Sequence, residues 1–266
     1  MTSLSQYSTP IEHIGNHVGI LVLHGFACTT ETVAPWAEAF IEHGYTVKMP
    51  LLAGHGTSAD DLSATTLEQI VHSATAALEW LQEHTDYQVI CGFDFGGTIA
   101  QHLAQQYHID GLLLLNTAYQ LPAKLLNSVD RIVNANETHG RIGTADIKNP
   151  RITVNRYERY PVSLAREMID FTNDVAAQSN RIQASLLVMH SEDDHVLPPN
   201  TVDRLITTAS SKEKHLIMLK DSYHYALVDY DAARIIEQSI YFVKGIDPDR
   251  YLQDPESNNK KKKKRR

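Results

Sequence analysis

Residues 92–98 read Gly-Phe-Asp-Phe-Gly-Gly-Thr and follow the apolar run Val89-Ile90-Cys91. A buried strand that enters a glycine turn and leaves as a helix lifts the third turn residue to the tip. Gly92, Gly96 and Gly97 allow the close backbone approach such a turn needs. The pattern is G-x-S-x-G with aspartate where serine is expected, so Asp94 is aimed into a site. A carboxylate has no proton to surrender to a base. Its attack on an ester carbonyl would form a mixed anhydride that collapses backwards, because carboxylate leaves more readily than alkoxide. Attack on an sp³ carbon bearing a halide or an epoxide oxygen is sound and gives an alkyl-enzyme ester that activated water opens. A third outcome is a pocket that still binds but whose chemistry the replacement, natural or deliberate, has removed. The helix after the turn points its positive end at position 94, which favours an ionised carboxylate.

The elements that must position this turn alternate along the chain. Gly19 to Leu23 is a continuous apolar run, as expected of a strand buried on both faces. A helix follows, with Thr29 or Thr30 as cap, Val33, Trp36, Ala37 and Phe40 on one face and Gly44 at its end. Tyr45 to Met49 reads as a strand, Thr66 to His84 as a long helix, and Gln88 to Cys91 as the strand before the turn. Thr98 to Tyr107 reads as helix and Leu112 to Leu115 as strand. After a polar, tyrosine-containing block the rhythm resumes, with strands at Ser185 to Met189 and His215 to Leu219 and helices at Thr201 to Ala209 and Asp231 to Val243. Alternating strands and helices predict an α/β fold with a mostly parallel sheet and helices on both faces. Residues 1–116 and 181–246 form the two parts of one core. Residues 117–180 form a small cap inserted over the carboxyl ends of the strands, where ligands bind in open α/β sheets.

The 266 residues are 42% hydrophobic and 21% charged, enough to bury a sizeable core. Net charge is −8, but Lys260 to Arg266 is an unbroken basic run; the remaining body carries 17 basic against 32 acidic residues. Such an acidic body argues against nucleic-acid binding by the folded part. Residues 247–266 read as a disordered basic tail with at most an electrostatic role. No apolar run is long enough for a membrane span and Met1 to Pro10 lacks a signal-peptide pattern, so a cytoplasmic location is expected. Cys28 and Cys91 fit reduced, buried thiols. A metal site around Glu192, Asp193 and His195 has no H-E-x-x-H or close cysteine pair to support it.

Five segments in order carry a resemblance to the α/β-hydrolases, nearest to the carboxylesterase and monoacylglycerol-lipase group. Leu21-Val-Leu-His-Gly-Phe-Ala-Cys-Thr-Thr resembles that group's oxyanion segment, and Pro50-Leu-Leu-Ala-Gly-His-Gly-Thr-Ser its P-x-x-x-G-H-G-x-S loop. Gly92-Phe-Asp-Phe-Gly-Gly-Thr aligns with G-L-S-M-G-G-T. Ser191-Glu-Asp-Asp-His-Val-Leu-Pro-Pro resembles the acid loop G-x-x-D-x-x-V-x-P, and Asp221-Ser-Tyr-His-Tyr the histidine loop.

The resemblance implies a triad of Asp94, Asp194 and His224 in nucleophile, acid, histidine order. Asp193 is the second choice for the acid; Asp194 is preferred because it stands two residues before Val196. Backbone N–H groups of Phe26 and Phe95 would form the oxyanion hole. His24, Gly25, Phe93, Leu197 and Tyr119 are expected around a pocket for a small ester or other apolar substrate, with His24 bracing its loop. No metal or organic cofactor is implied, and the oligomeric state is open. The implied activity is hydrolysis of carboxylic esters, in an inactivated or repurposed form because of Asp94. One alternative is an aspartate nucleophile acting on haloalkanes or epoxides, as in two families that share the fold. Those families usually place Trp after the aspartate and H-G-x-P in the oxyanion segment, whereas this chain has Phe95 and His24-Gly-Phe-Ala. Tyr119, Tyr157 and Tyr160 would be the cap tyrosines available to protonate an opening epoxide. The other alternative is a non-catalytic ligand-binding homologue.

Overall fold

The computed structural model describes residues 4–119, 121, 123–197 and 202–247. Nine strands lie in it: β1 (Ile11–His13), β2 (Val18–Leu23), β3 (Thr46–Met49), β4 (Tyr87–Phe93), β5 (Gly111–Leu115), β6 (His139–Arg141), β7 (Arg159–Pro161), β8 (Ser185–Ser191) and β9 (Lys214–Leu219). Seven of them form one sheet in the order β1-β3-β2-β4-β5-β8-β9, parallel throughout except for β1, which runs antiparallel to β3 at the edge. The eight helices are α1 (Ala34–Glu42), α2 (Ala59–Ser63), α3 (Leu67–His84), α4 (Phe95–Gln106), α5 (Ala123–Asn134), α6 (Val162–Ala177), α7 (Val202–Thr208) and α8 (Ala232–Ile246).

Side-chain alternation sorts each apolar strand onto two faces. Val18, Ile20 and Val22 of β2, with Val89 and Cys91 of β4 and Leu113 and Leu115 of β5, pack against Trp36 and Phe40 of α1 and Ile235 and Val243 of α8. The residues between them, Leu21, Leu23, Ile90, Leu112 and Leu114, pack against α3, α4 and α7. A sheet covered on both sides cannot show polar alternation, which is why these strands read as unbroken apolar runs. Cys28 and Cys91 are buried free thiols.

Local signals explain most helix ends. Thr66 caps α3 by accepting from the Gln69 amide, and the Gln69 side chain accepts from the Thr66 amide in return. The expected threonine cap of α1 is not made. A 3-10 turn at Thr30–Thr32 intervenes, α1 begins at Ala34, no side chain accepts a cap hydrogen bond at either start, and the Thr30 hydroxyl donates to the Thr9 carbonyl. Thr32 instead bonds the Thr29 carbonyl, and Thr29 reaches Asn155 across the fold. β1 and α2 are too short to carry a period that marks them in the sequence.

The chain between β5 and β8 supplies α5, the antiparallel β6–β7 hairpin and α6. Val129, Tyr160, Val162 and Ala165 form a small separate core there, with Phe26 of the main body packed on it. The basic run at 260–266 lies outside the described residues. Among the described residues no helix is long and apolar enough to cross a membrane.

The turn between β4 and α4 is set by contact distance. A Cβ on Gly92 would stand 2.5 Å from the Gly97 Cα, and one on Gly96 would stand 2.4 Å from the His24 carbonyl oxygen. Neither neighbour is a flexible side-chain end, so relief requires moving backbone. Gly92→Ala should therefore lower unfolding free energy by at least about 2 kcal/mol, read from the urea midpoint. A midpoint matching the parent would show that the turn tolerates a side chain and is looser than these distances imply.

Candidate active site

Asp94 is the first residue of the turn that leaves β4, with φ 52° and ψ −123°. An L-residue holds that backbone only when its surroundings over-determine it, and such strain concentrates at sites of chemistry. Its carboxylate is 19% exposed. Oδ2 accepts the Phe26 amide at 2.9 Å, and the carboxylate also accepts the Phe95 amide. Gly25 makes room for it, since a Cβ there would stand 2.6 Å from Oδ2. The other oxygen, Oδ1, lies 3.7 Å from His224 Nε2. Burial is the largest influence on this carboxyl and raises it above the ordinary carboxylate range, against the opposing pull of His224 and the two amides. The fixed helix field alone therefore does not decide its protonation.

His224 follows β9 on a loop and is 3% exposed. Its Nδ1 donates to Asp194 Oδ2 at 2.8 Å, and that fixes Nε2 toward Asp94. Burial opposes the charged imidazole, but Asp194, Asp94 and Asp146 together raise it above its usual value. Asp194 is buried at the end of β8. Its Oδ1 accepts the amides of Val196 and Leu197, each at 2.8 Å. Burial would raise its carboxyl, but the His224 charge and hydrogen bond and the Leu197 amide reverse this and lower it. Asp193 is exposed. The Leu197 carbonyl also accepts from His190 Nε2 at 2.7 Å, so Leu197 acts here through its backbone.

Two buried histidines brace the oxyanion segment. His24 Nε2 accepts the Leu52 amide and Nδ1 donates to the Gly25 carbonyl; His55 Nε2 accepts the amide of Ala27, itself at φ 55°, and Nδ1 donates to Ala53. The rings meet edge to face at 5.0 Å. Burial drops His24 to about 3 and His55 to about 4. Folding thus prefers both neutral. Their contribution is complete above the unfolded value near 6.5 and is lost as pH falls toward 4 and then 3, by about 1.4 kcal/mol per unit for each ring. His55→Gln should flatten the fall in urea stability between pH 6 and pH 5 by about that amount. Identical slopes for parent and variant would contradict the neutral brace.

The remaining expected pocket residues divide. Phe26 is partly exposed and meets Phe95 and Tyr160 edge to face, each at 6.3 Å, so an apolar wall stands beside the two amides. His24 is fully buried with both ring nitrogens bonded to backbone; it is a brace and not a lining residue. Phe93 points to the opposite side of β4, where it supports the His224 and Tyr225 rings from below. Tyr119 is also corrected: it is 4% exposed, and its hydroxyl is taken up by Ala176, Ser179 and Thr208. The Tyr157 hydroxyl bonds Gly54 and Thr57, and Tyr160 has Ser128 as partner. All three cap tyrosines considered as proton donors are thereby engaged elsewhere.

Sequence reasoning missed the residues that lock the loops together. Asn116, at φ 44° just beyond β5, donates to the His224 carbonyl at 2.7 Å and accepts the Ser191 amide at 2.8 Å. Its position directly after a buried strand was the available signal. Asp146 and Asp229 carried no pattern at all. Among the described residues no group of three or more His, Cys, Asp or Glu side chains is placed to hold a metal ion.

Residues 16–231 match the Hydrolase_4 family, described as serine aminopeptidase, S33. The chain is 34% identical over 234 residues to a thermostable monoacylglycerol lipase of Bacillus sp. (strain H-257), covering 85% of this chain and 90% of that protein. It is 20% identical to a carboxylesterase of Bacillus subtilis (strain 168), covering 90% and 97%. A solved structure from a study of the metagenome-derived lipolytic enzymes LipS and LipT superposes with a TM-score of 0.85 at 29% identity, covering 90% of this chain and 98% of that one.

Proposed function

Because the chain belongs to the Hydrolase_4 family of α/β-hydrolases, we propose that its site is built to hydrolyse carboxylic esters of the monoacylglycerol or small-ester kind, and that Asp94 holds it in a blocked form. One observation carries this reading. The Asp94 carboxylate sits on the Phe26 and Phe95 amides, where the oxygen of a tetrahedral ester intermediate needs to be, and faces an imidazole braced by Asp194.

A working ester site needs three things at this point: a hydroxyl that His224 can deprotonate, two free amide donors, and an apolar wall for the acyl chain. Asp94 removes the first and occupies the second. The wall of Phe26 and Phe95 remains. The 34% identity to a monoacylglycerol lipase and the superposition on lipolytic enzymes support the substrate class. Asp94→Ser restores both missing parts, and hydrolysis of p-nitrophenyl butyrate and of a monoacylglycerol by that variant tests the proposal.

A second reading keeps Asp94 as a nucleophile. It is favoured by Oδ1, which faces His224 while Oδ2 is anchored. Against it stand Phe95, whose side chain has no donor for a leaving halide, and the engaged cap tyrosines. His224→Phe should trap an alkyl ester on Asp94 during incubation with haloalkanes or epoxides if this reading holds. A clean intact mass across a panel of both removes it.

A further inference from the structure

One loop, residues 143–157, bonds to the oxyanion segment and to the loops that carry Asp194 and His224. Its Tyr157 amide donates to the Ala27 carbonyl at 2.9 Å, and its Asn155 carbonyl accepts from Thr29, so it holds the oxyanion segment from outside. Its Lys148 and Asn149 amides donate to Asp229, which also accepts the Tyr223 amide next to His224. The most connected residue on it is Asp146. One carboxylate oxygen accepts the His224 amide at 3.2 Å and the His195 amide at 3.1 Å; the other meets His195 Nδ1 at 2.8 Å. Its backbone carbonyl accepts the Tyr225 amide at 3.2 Å.

His195 directly follows the acid Asp194. The Asp146 carboxylate therefore joins the loop that carries the acid to the loop that carries the histidine. Its side chain is 15% exposed, which keeps water from competing freely for these bonds. We propose that Asp146 is a positioning residue for the Asp194–His224 pair: it fixes the separation of their two loops and so the direction in which His224 Nε2 points. A dyad whose geometry must hold within a fraction of an ångström needs such outer support. The inference deepens the ester reading above and rests on it for its catalytic consequence, but the positioning itself is independent of what position 94 does.

The groups facing His224 are Asp194 on the acid loop, Asp94 on the turn, His190 at the end of β8, and Asp146 on the 143–157 loop. The test is imidazole NMR on the full chain labelled with ¹⁵N-histidine, for the parent, Asp146→Ala and Asp146→Asn. Asp146→Ala is expected to lower the His224 titration midpoint by about half a unit and to broaden its Nδ1 proton signal. Asp146→Asn, which keeps an oxygen for the amides but loses the charge, should restore the sharp signal without restoring the midpoint. In the Asp94→Ser background, Asp146→Ala should cut kcat by about tenfold with KM changed less than twofold. Superimposable His224 titrations and signals for all three proteins would overturn the assignment; should Asp146→Ala not fold, an Asp146→Asn curve identical to the parent does so by itself. If Asp94→Ser is inactive while the NMR shifts appear, the ester reading fails and the positioning role stands.

Discussion

Asp94→Ser should raise kcat/KM for p-nitrophenyl butyrate by about 1,000-fold or more over the unaltered chain. Two barriers fall together. The carboxylate leaves the Phe26 and Phe95 amides, which then stabilise the developing oxyanion; loss of a single such donor costs roughly 100- to 1,000-fold in comparable sites. A hydroxyl also arrives beside His224 Nε2, where it can be deprotonated during attack. Asp94→Gly separates the two effects. It empties the same amides, suits the positive φ of the turn, and supplies no nucleophile. We expect it to bind ester-like ligands as well as Asp94→Ser does while hydrolysing them no faster than the unaltered chain. If Asp94→Ser gains nothing over Asp94→Gly, the site is not an ester site.

The second large effect lies in the dyad. In the Asp94→Ser background, His224→Ala or Asp194→Asn should each remove about 10³- to 10⁴-fold of kcat, and the two together should remove little more than the worse single change. The reason is geometric. The Nδ1 bond to Asp194 at 2.8 Å sets the tautomer that leaves Nε2 free to accept, and an amide at 194 presents a donor to the same nitrogen. Asp193→Asn provides the contrast, since Asp193 is exposed; it should change kcat less than threefold. Equal losses at 193 and 194 would mean that the acid has been assigned on the wrong carboxylate.

Much of this arrangement was legible in the chain because its signals are local. The apolar runs at residues 19–23, 89–91 and 112–115 mark strands buried on both faces, and the glycines at 92, 96 and 97 mark a turn that admits no side chain. The long helix from Thr66 declared itself through its cap and its period. Other features depend on partners far away in sequence. The loop-bracing role read for His24 matches its bonds to Leu52 and Gly25, but its place around the pocket does not, because those bonds hold the ring within the core. Tyr119, read as a cap tyrosine at the pocket, has its hydroxyl captured by α6 and α7 residues 57 and 89 positions away. Thr29 looked like a helix cap and instead bonds Asn155, 126 positions away. Asp146 looked like any polar loop residue, and only the meeting of two distant loops gives it meaning.

The account depends on position 94 standing on two amide donors in front of His224. An activated phosphonate ester measures this directly, because it reacts far faster with a nucleophile so placed than with other side chains and leaves a tetrahedral adduct whose mass is known. Intact mass and peptide mapping should show one phosphonyl group per chain in Asp94→Ser, on the peptide holding residue 94, abolished by adding His224→Ala and absent from the unaltered protein. Labelling at another residue, or equal labelling with aspartate and serine at 94, would contradict it.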